Sequence, residues 1–243
     1  MFHTVLYMVR VAVIVRGHVR KALADPSFAE YLRGLAGRLG RGTVVRAFVH
    51  TWCESEAKSS HRPLDRTGVR PVTEAEVVAY LGSDLVEWAA VDDDAAIQLP
   101  GNAAGRIGGI PARAWKNMWY GKHRALQAVE ASGQAFDAVV CVRIDNFLNM
   151  ESKSYARVNK QSMDAAVRSV LRGGAPDRVR FALDEARPGI DNFYAARPAA
   201  MARLIRRFHL EMDAIRSRYP AVRNQEYMVF YEARKMEPRP PIL

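Results

Sequence analysis

The chain has 243 residues, 49% hydrophobic and 26% charged, with 36 lysines and arginines against 26 aspartates and glutamates, a net charge of +10. That length and balance exclude an intrinsically disordered chain and allow one domain with a substantial buried core, spanning residues 1–243. Two cysteines, Cys53 and Cys141, are too few for a disulfide framework or a zinc site. The positive charge favours an anionic partner, whether a nucleotide, a nucleic acid or an anionic membrane surface. Much of the excess arginine is scattered (Arg203, Arg206, Arg207, Arg216, Arg218), as on a solvated helix face rather than in a dense binding block.

Met1 to Gly17 is apolar enough to suggest a signal peptide, but Arg10 interrupts the run and no small-residue cleavage pattern follows, so it reads as the first strand of a cytoplasmic protein. No stretch reaches the roughly 20 apolar residues that span a bilayer, so no transmembrane segment is expected. Val9 to Val15 is the β-rich core of that strand, followed by the polar loop Arg16-Gly17-His18-Val19-Arg20. Phe28, Tyr31, Leu32, Leu35 and Leu39 have helical spacing and predict one helix, closed by Gly40 and Gly42. Thr43 to Val49 is a second strand ending in His50-Thr51-Trp52. Cys53 to Pro71, with Ser59, Ser60, Pro63 and Gly68, is a surface loop.

Thr73 and Glu76 have capping-box spacing for a short helix, and Leu85 to Val91 is a third strand ending in Asp92, Asp93 and Asp94. Gly101 to Pro111 reads as a flexible loop. Its glycines lack the phosphate-loop spacing and the preceding strand, leaving a loop that closes over a ligand. Ala114 to Ser132 is a helix ended by Gly133, and its Lys122, His123 and Arg124 are candidate anion contacts. The polar stretch Asn146 to Ser162 carries Met150, Tyr155 and Val158. It precedes a helix from Met163 to Leu171 and a strand from Val179 to Leu183. A turn at Gly189-Ile190-Asp191-Asn192 leads to a short strand, then one long helix from Pro198 to about Tyr219. A last helix starts near Asn224 and is stopped by Pro238, Pro240 and Pro241.

Strands alternating with helices predict an α/β fold, a mostly parallel central sheet flanked by helices. The chain is organised around Phe136 to Phe147, whose apolar run from Ala138 to Val142 reads as a strand buried on both faces. Such sheets bind ligands at the carboxyl ends of their strands, which gathers Arg16 to Arg20, His50, Asp92 to Asp94, and Arg143, Asp145 and Asn146. An aspartate at that mouth suits a divalent cation that clamps a diphosphate; the plainer alternative is a strand ending in a polar turn.

The order of these features resembles a group of GT-A-fold glycosyltransferase-like proteins found in polysaccharide gene clusters and large DNA viruses. The matching residues are Gly17 and Arg20 in the first loop, Trp52 after the second strand, and Tyr120, Ala125 and Leu126 in the helix. The most specific block follows, with Phe136, Asp137, Val139, Arg143 and Asp145. Asp191-Asn192-Phe193, Met201 and Glu226 extend the likeness more loosely. Arg143 stands where the family's Asp-x-Asp motif has its first carboxylate. An arginine can itself pair bidentately with phosphate and supply part of a metal's charge.

The resemblance implies a Rossmann-like nucleotide-sugar fold and transfer of a sugar from a nucleotide diphosphate sugar to a glycan or other hydroxyl acceptor. It implies that Arg16, Gly17, His18 and Arg20 line the nucleotide site, with Lys122 and Arg143 adding charge at the phosphates. Asp145 would bind the diphosphate through Mn²⁺ or Mg²⁺. Asp191 and Glu226 are the candidate bases for the acceptor hydroxyl. Two other functions fit the sequence: a nucleic-acid or polyanion-binding protein, drawn from the charge, and a nucleotide-sugar-binding module without catalysis, drawn from the single carboxylate. The aromatics fall mostly at core spacing and no nucleic-acid-binding signature is evident, so no specific nucleic acid is expected.

Overall fold

A computed structural model describes residues 8–56, 69–149, 159–173, 175–183 and 185–237. The first three strands, β1 (Val9–Arg16), β2 (Thr43–Trp52) and β3 (Val86–Asp92), pair in parallel. A two-stranded hairpin, β4 (Arg106–Ile107) and β5 (Ile110–Pro111), stands apart from them. The next strand, β6 (Ala138–Arg143), returns to the far side of β1 and pairs with it in parallel, Arg16 opposite Arg143. Then β7 (Arg180–Phe181) and β8 (Phe193–Ala196) close that edge antiparallel, giving the order β3-β2-β1-β6-β8-β7. The protein is therefore α/β, with a six-stranded, mostly parallel central sheet flanked by helices, consistent with a Rossmann-like arrangement.

Alternation along the strands divides the core. Val11, Val13 and Val15 of β1 and Val140 and Val142 of β6 face one layer, whose first members are α1 (Ser27–Arg33), α2 (Leu35–Leu39) and α3 (Glu74–Leu81). Ala12, Ile14, Val139 and Cys141 face the other, whose first member is α4 (Ala112–Ala131). α5 (Lys160–Leu171) joins the first layer, and α6 (Pro198–Leu210), α7 (Met212–Arg218) and α8 (Gln225–Lys235) join the second. Both faces of β1 and β6 are covered, so their apolar runs are continuous rather than alternating, and each fully buried valine contributes about 1.5–3 kcal/mol. No helix among the described residues is long and apolar enough to cross a membrane.

Several elements differ from their sequence patterns. The helix expected through Phe28 and Leu39 is divided at Gly34, over which Arg38 folds back. Its Nη2 donates to the Tyr31 carbonyl at 2.8 Å and its Nε to Asp164 at 2.8 Å, and a Cβ on Gly34 would lie 2.7 Å from Arg38 Nη1. The glycine stretch before α4 folds in part as the β4–β5 hairpin, with Gly108 at φ +57 in its turn. The long helix after Pro198 bends at Glu211, which lets Asp213 reach Lys116 at 2.9 Å and the Asn102 amide at 2.8 Å. α5 starts earlier than Met163, because Asn159 caps it by accepting from the Ser162 amide. The expected strand from Val179 shortens to two residues at the sheet edge. The predicted cap at Thr73 is present as a full capping box with Glu76. Ser59, Ser60, Pro63 and Gly68, then Met150, Tyr155 and Val158, and the terminal Pro238, Pro240 and Pro241 lie outside the described residues.

Candidate functional site

Parallel register brings the ends of β1, β2 and β6 together, Arg16 lying between His50 and Arg143. Arg16 is 4% exposed and turns toward the 3₁₀ turn Ile190–Asn192 before β8, where its Nη2 donates to the Asp191 carbonyl at 2.9 Å and to Asp191 Oδ2 at 3.0 Å. Lys122, from the middle of α4, comes up beneath the same carboxylate. Its Nζ is 4.0 Å from Asp191 Oδ2, lies 3.6 Å from the Trp119 ring centroid and is fully buried. Burial and the nearby Arg16 charge push the Lys122 pKa well below its ordinary value.

Asp145 sits just past the end of β6 under two guanidiniums. Arg143 Nε and Nη2 donate to its two oxygens at 2.8 and 2.7 Å, and Arg20 Nη1 donates to Oδ2 at 2.7 Å. Burial alone would raise the Asp145 pKa, but Arg143 and Arg20 overcome it and hold the carboxyl below the usual range. Against the cost of burial, Asp145 holds Arg143 firmly protonated. The loop that delivers Arg20 is tightly shaped: Gly17 has φ +105, its carbonyl accepts from Thr51 Oγ1 at 2.8 Å, and Arg20 itself takes the left-handed φ of +47. That conformation is uncommon for a side-chain-bearing residue, and here the Ser55 carbonyl anchors it by accepting from the Arg20 amide at 2.8 Å.

Glu226 enters from the first turn of α8, whose cap Asn224 accepts from the Glu226 amide at 2.9 Å. The Glu226 carboxylate accepts from the Gly189 amide at 2.6 Å. Burial, reinforced by the charge of Asp191, raises its pKa to about 7. His18, stacked on Trp52 at 5.8 Å, is lowered to about 4, mainly by burial, and lies 3.8 Å from Asp94.

Arg16, Gly17, His18, Arg20, Arg143, Asp191 and Glu226 thus line one cleft of about 130 Å³, with Trp52, Asp94, Trp115, Asn117, Met118 and Gln225. Of the residues singled out in the sequence, Lys122 lies below the cleft floor and Asp145 behind Arg143 and Arg20. Lys122, His123 and Arg124 diverge around the helix: His123 stacks on His209 at 4.2 Å and Arg124 is 3.6 Å from Asp92. Asp92 also holds His50 at 3.2 Å and Tyr120 at 3.0 Å, and this group adjoins the cleft through Trp52, whose ring lies 4.8 Å from that of His50. Sequence reading missed Trp115, Asn117, Met118 and Gln225. On a helix, such residues look like core or surface until packing shows which edge meets the cleft.

No family model and no curated protein matches the chain.

The divalent cation implied by the resemblance can be tested against this donor set. Both Asp145 oxygens accept from guanidiniums, and a cation there would sit beside two fixed positive charges. Asp145 as arranged does not fit a metal ligand. Among the described residues no group of three histidine, cysteine or carboxylate side chains is placed to hold a metal.

Proposed function

We propose that the protein transfers a glycosyl group from a nucleotide diphosphate sugar to a hydroxyl acceptor at this cleft. The observation that carries the proposal is the meeting, at the carboxyl ends of β1 and β6, of three guanidiniums with Glu226, a carboxyl whose pKa lies near 7. A base poised near neutrality can take a hydroxyl proton and still be ionised often enough to act. The acceptor oxygen then bonds to the anomeric carbon, the bond from that carbon to the β-phosphate oxygen breaks, and its electron pair leaves with the diphosphate. Arg16, Arg20 and Arg143 face the charge that develops there. Asp191 serves differently from Glu226: its ion pair with Arg16 fixes that guanidinium in the cleft wall.

The cleft is smaller than the roughly 300–1,000 Å³ of ordinary ligand sites, so donor binding requires it to widen. The β4–β5 hairpin borders this space. Ile110 contributes to the cleft, and Gly108 and Gly109 contribute to a wider groove of about 810 Å³ on its other side. The polyanion-binding alternative has less support, since four of the five helix arginines singled out in the sequence are paired: Arg203 with Asp177, Arg206 with Glu130, and Arg207 and Arg218 with Glu232.

The test is a thermal-shift screen against uridine, guanosine, cytidine and thymidine diphosphates and their sugars, followed by an assay for nucleoside diphosphate released in the presence of glycan acceptors. One nucleotide class is expected to raise Tm, by an amount equivalent to about 2.7 kcal/mol at 100 times its Kd. No shift with any of them refutes the proposal.

A further inference from the structure

We infer that the cleft binds the donor diphosphate without a divalent cation, with Asp145 as the positioning residue that holds Arg143 and Arg20 in place as a guanidinium clamp; this rests on reading the cleft as a nucleotide-sugar site. Depth is the first ground. The Asp145 side chain is 2% exposed, whereas those of Arg143 and Arg20 are 20% and 19% exposed. Arg16, Arg20 and Arg143 line the cleft and Asp145 does not, so an incoming phosphate meets guanidiniums before it meets the carboxylate.

Donor geometry is the second. Arg143 spends its Nε–Nη2 edge on Asp145, which fixes the plane of the fork and leaves the Nη1 donors for a ligand. Arg20 is held by Asp145 through Nη1 and faces Glu56 through Nε at 3.5 Å. Its left-handed backbone is the kind of local strain that persists where surrounding contacts over-determine a side chain's position.

Charge is the third. Arg143 and Arg20 bring two positive charges within 2.7–2.8 Å of the Asp145 oxygens, while Glu56 faces Arg20 and Asp191 pairs with Arg16. The two charges beside Asp145 repel a cation that approaches its oxygens. For a divalent ion to use Asp145, it would have to displace guanidinium bonds of 2.7–2.8 Å from both oxygens.

The experiment is calorimetric titration of the full chain with the nucleoside diphosphate selected by the thermal screen, in EDTA, in Mn²⁺ and in Mg²⁺. The expected result is a Kd in EDTA within about threefold of that in either metal, the scatter ordinary context produces. Arg143→Lys, which keeps the charge but loses the fork, is expected to weaken binding about tenfold or more in all three media. Asp145→Asn is expected to weaken it by the same factor in EDTA and in Mn²⁺. If Asp145 merely supported folding, Asp145→Asn would lower Tm and leave the Kd unchanged, which would overturn its positioning role.

Binding that appears only with metal, and is lost with its metal dependence in Asp145→Asn, overturns the inference and leaves the glycosyltransferase proposal standing. Failure of every nucleotide to bind in every medium overturns that proposal, and the inference with it. The wild-type chelator comparison decides the matter even if the Asp145 variant does not fold.

Discussion

Arg16 and Asp191, 175 residues apart in the chain, are joined by one guanidinium nitrogen that donates to both the carbonyl and the carboxylate of the aspartate. The contact ties the end of a central parallel strand to the turn that starts the antiparallel edge, with both side chains 4% exposed or less. Removing Arg16 leaves the buried Asp191 carboxylate with only Lys122, 4.0 Å away, as a cationic neighbour. Arg16→Met is therefore expected to cost about 3–5 kcal/mol, read by urea denaturation. An unchanged midpoint would mean that the pair is not a buried ion pair in solution.

Glu226→Gln separates chemistry from stability. Loss of the base is expected to lower turnover by about 10²–10⁴. The wild-type rate should rise with pH and level off above about 7, following ionisation of Glu226. Stability moves the other way. The unfolded chain loses this proton near the ordinary 4.5, whereas the folded protein keeps it to about 7, so stability falls as pH rises between them and stays lowered above. Glutamine can still accept from the Gly189 amide without carrying the charge. Its Tm is expected to exceed wild type at pH 8 and to match it near pH 4; a lower Tm at pH 8 would contradict the raised pKa.

Gly121 lies where α4 crosses the end of β2. A Cβ there would come within 2.5 Å of His50 Nδ1. Alanine in a helix gains about 1 kcal/mol over glycine, but overpacking a filled site costs about 1–3 kcal/mol. The clash should win, because the buried His50 ring is wedged against Trp52 at 4.8 Å, Tyr120 at 5.7 Å and Asp92 at 3.2 Å. Gly121→Ala should lower Tm; a rise would show that His50 can move.

Thr73→Ala removes half of the capping box of α3, far from the cleft. A loss of about 0.5–2 kcal/mol in chemical denaturation is expected, with nucleotide binding unaltered. A change in binding would show that α3 communicates with the cleft.

Local chemistry determined the elements and their class. Val9 to Val15 read as a β-rich strand, Ala138 to Val142 as one buried on both faces, and Thr73 and Glu76 as a cap, because strand propensity, apolar runs and capping act over a few residues. The same locality made Arg16, Arg20 and Arg143 visible, since a parallel sheet gathers the polar residues at its strand ends, whereas Asp191 and Glu226 enter only through the resemblance. Only the tertiary structure decided what those residues are to one another. It divided the helix at Gly34 and brought Arg38 to Asp164, 126 residues away. It placed Asp145 behind two arginines, buried Lys122 under Asp191, and set Glu226 near neutrality through burial and the charge of Asp191. Desolvation and Coulomb interactions depend on distance through space, and distance along the chain does not report it.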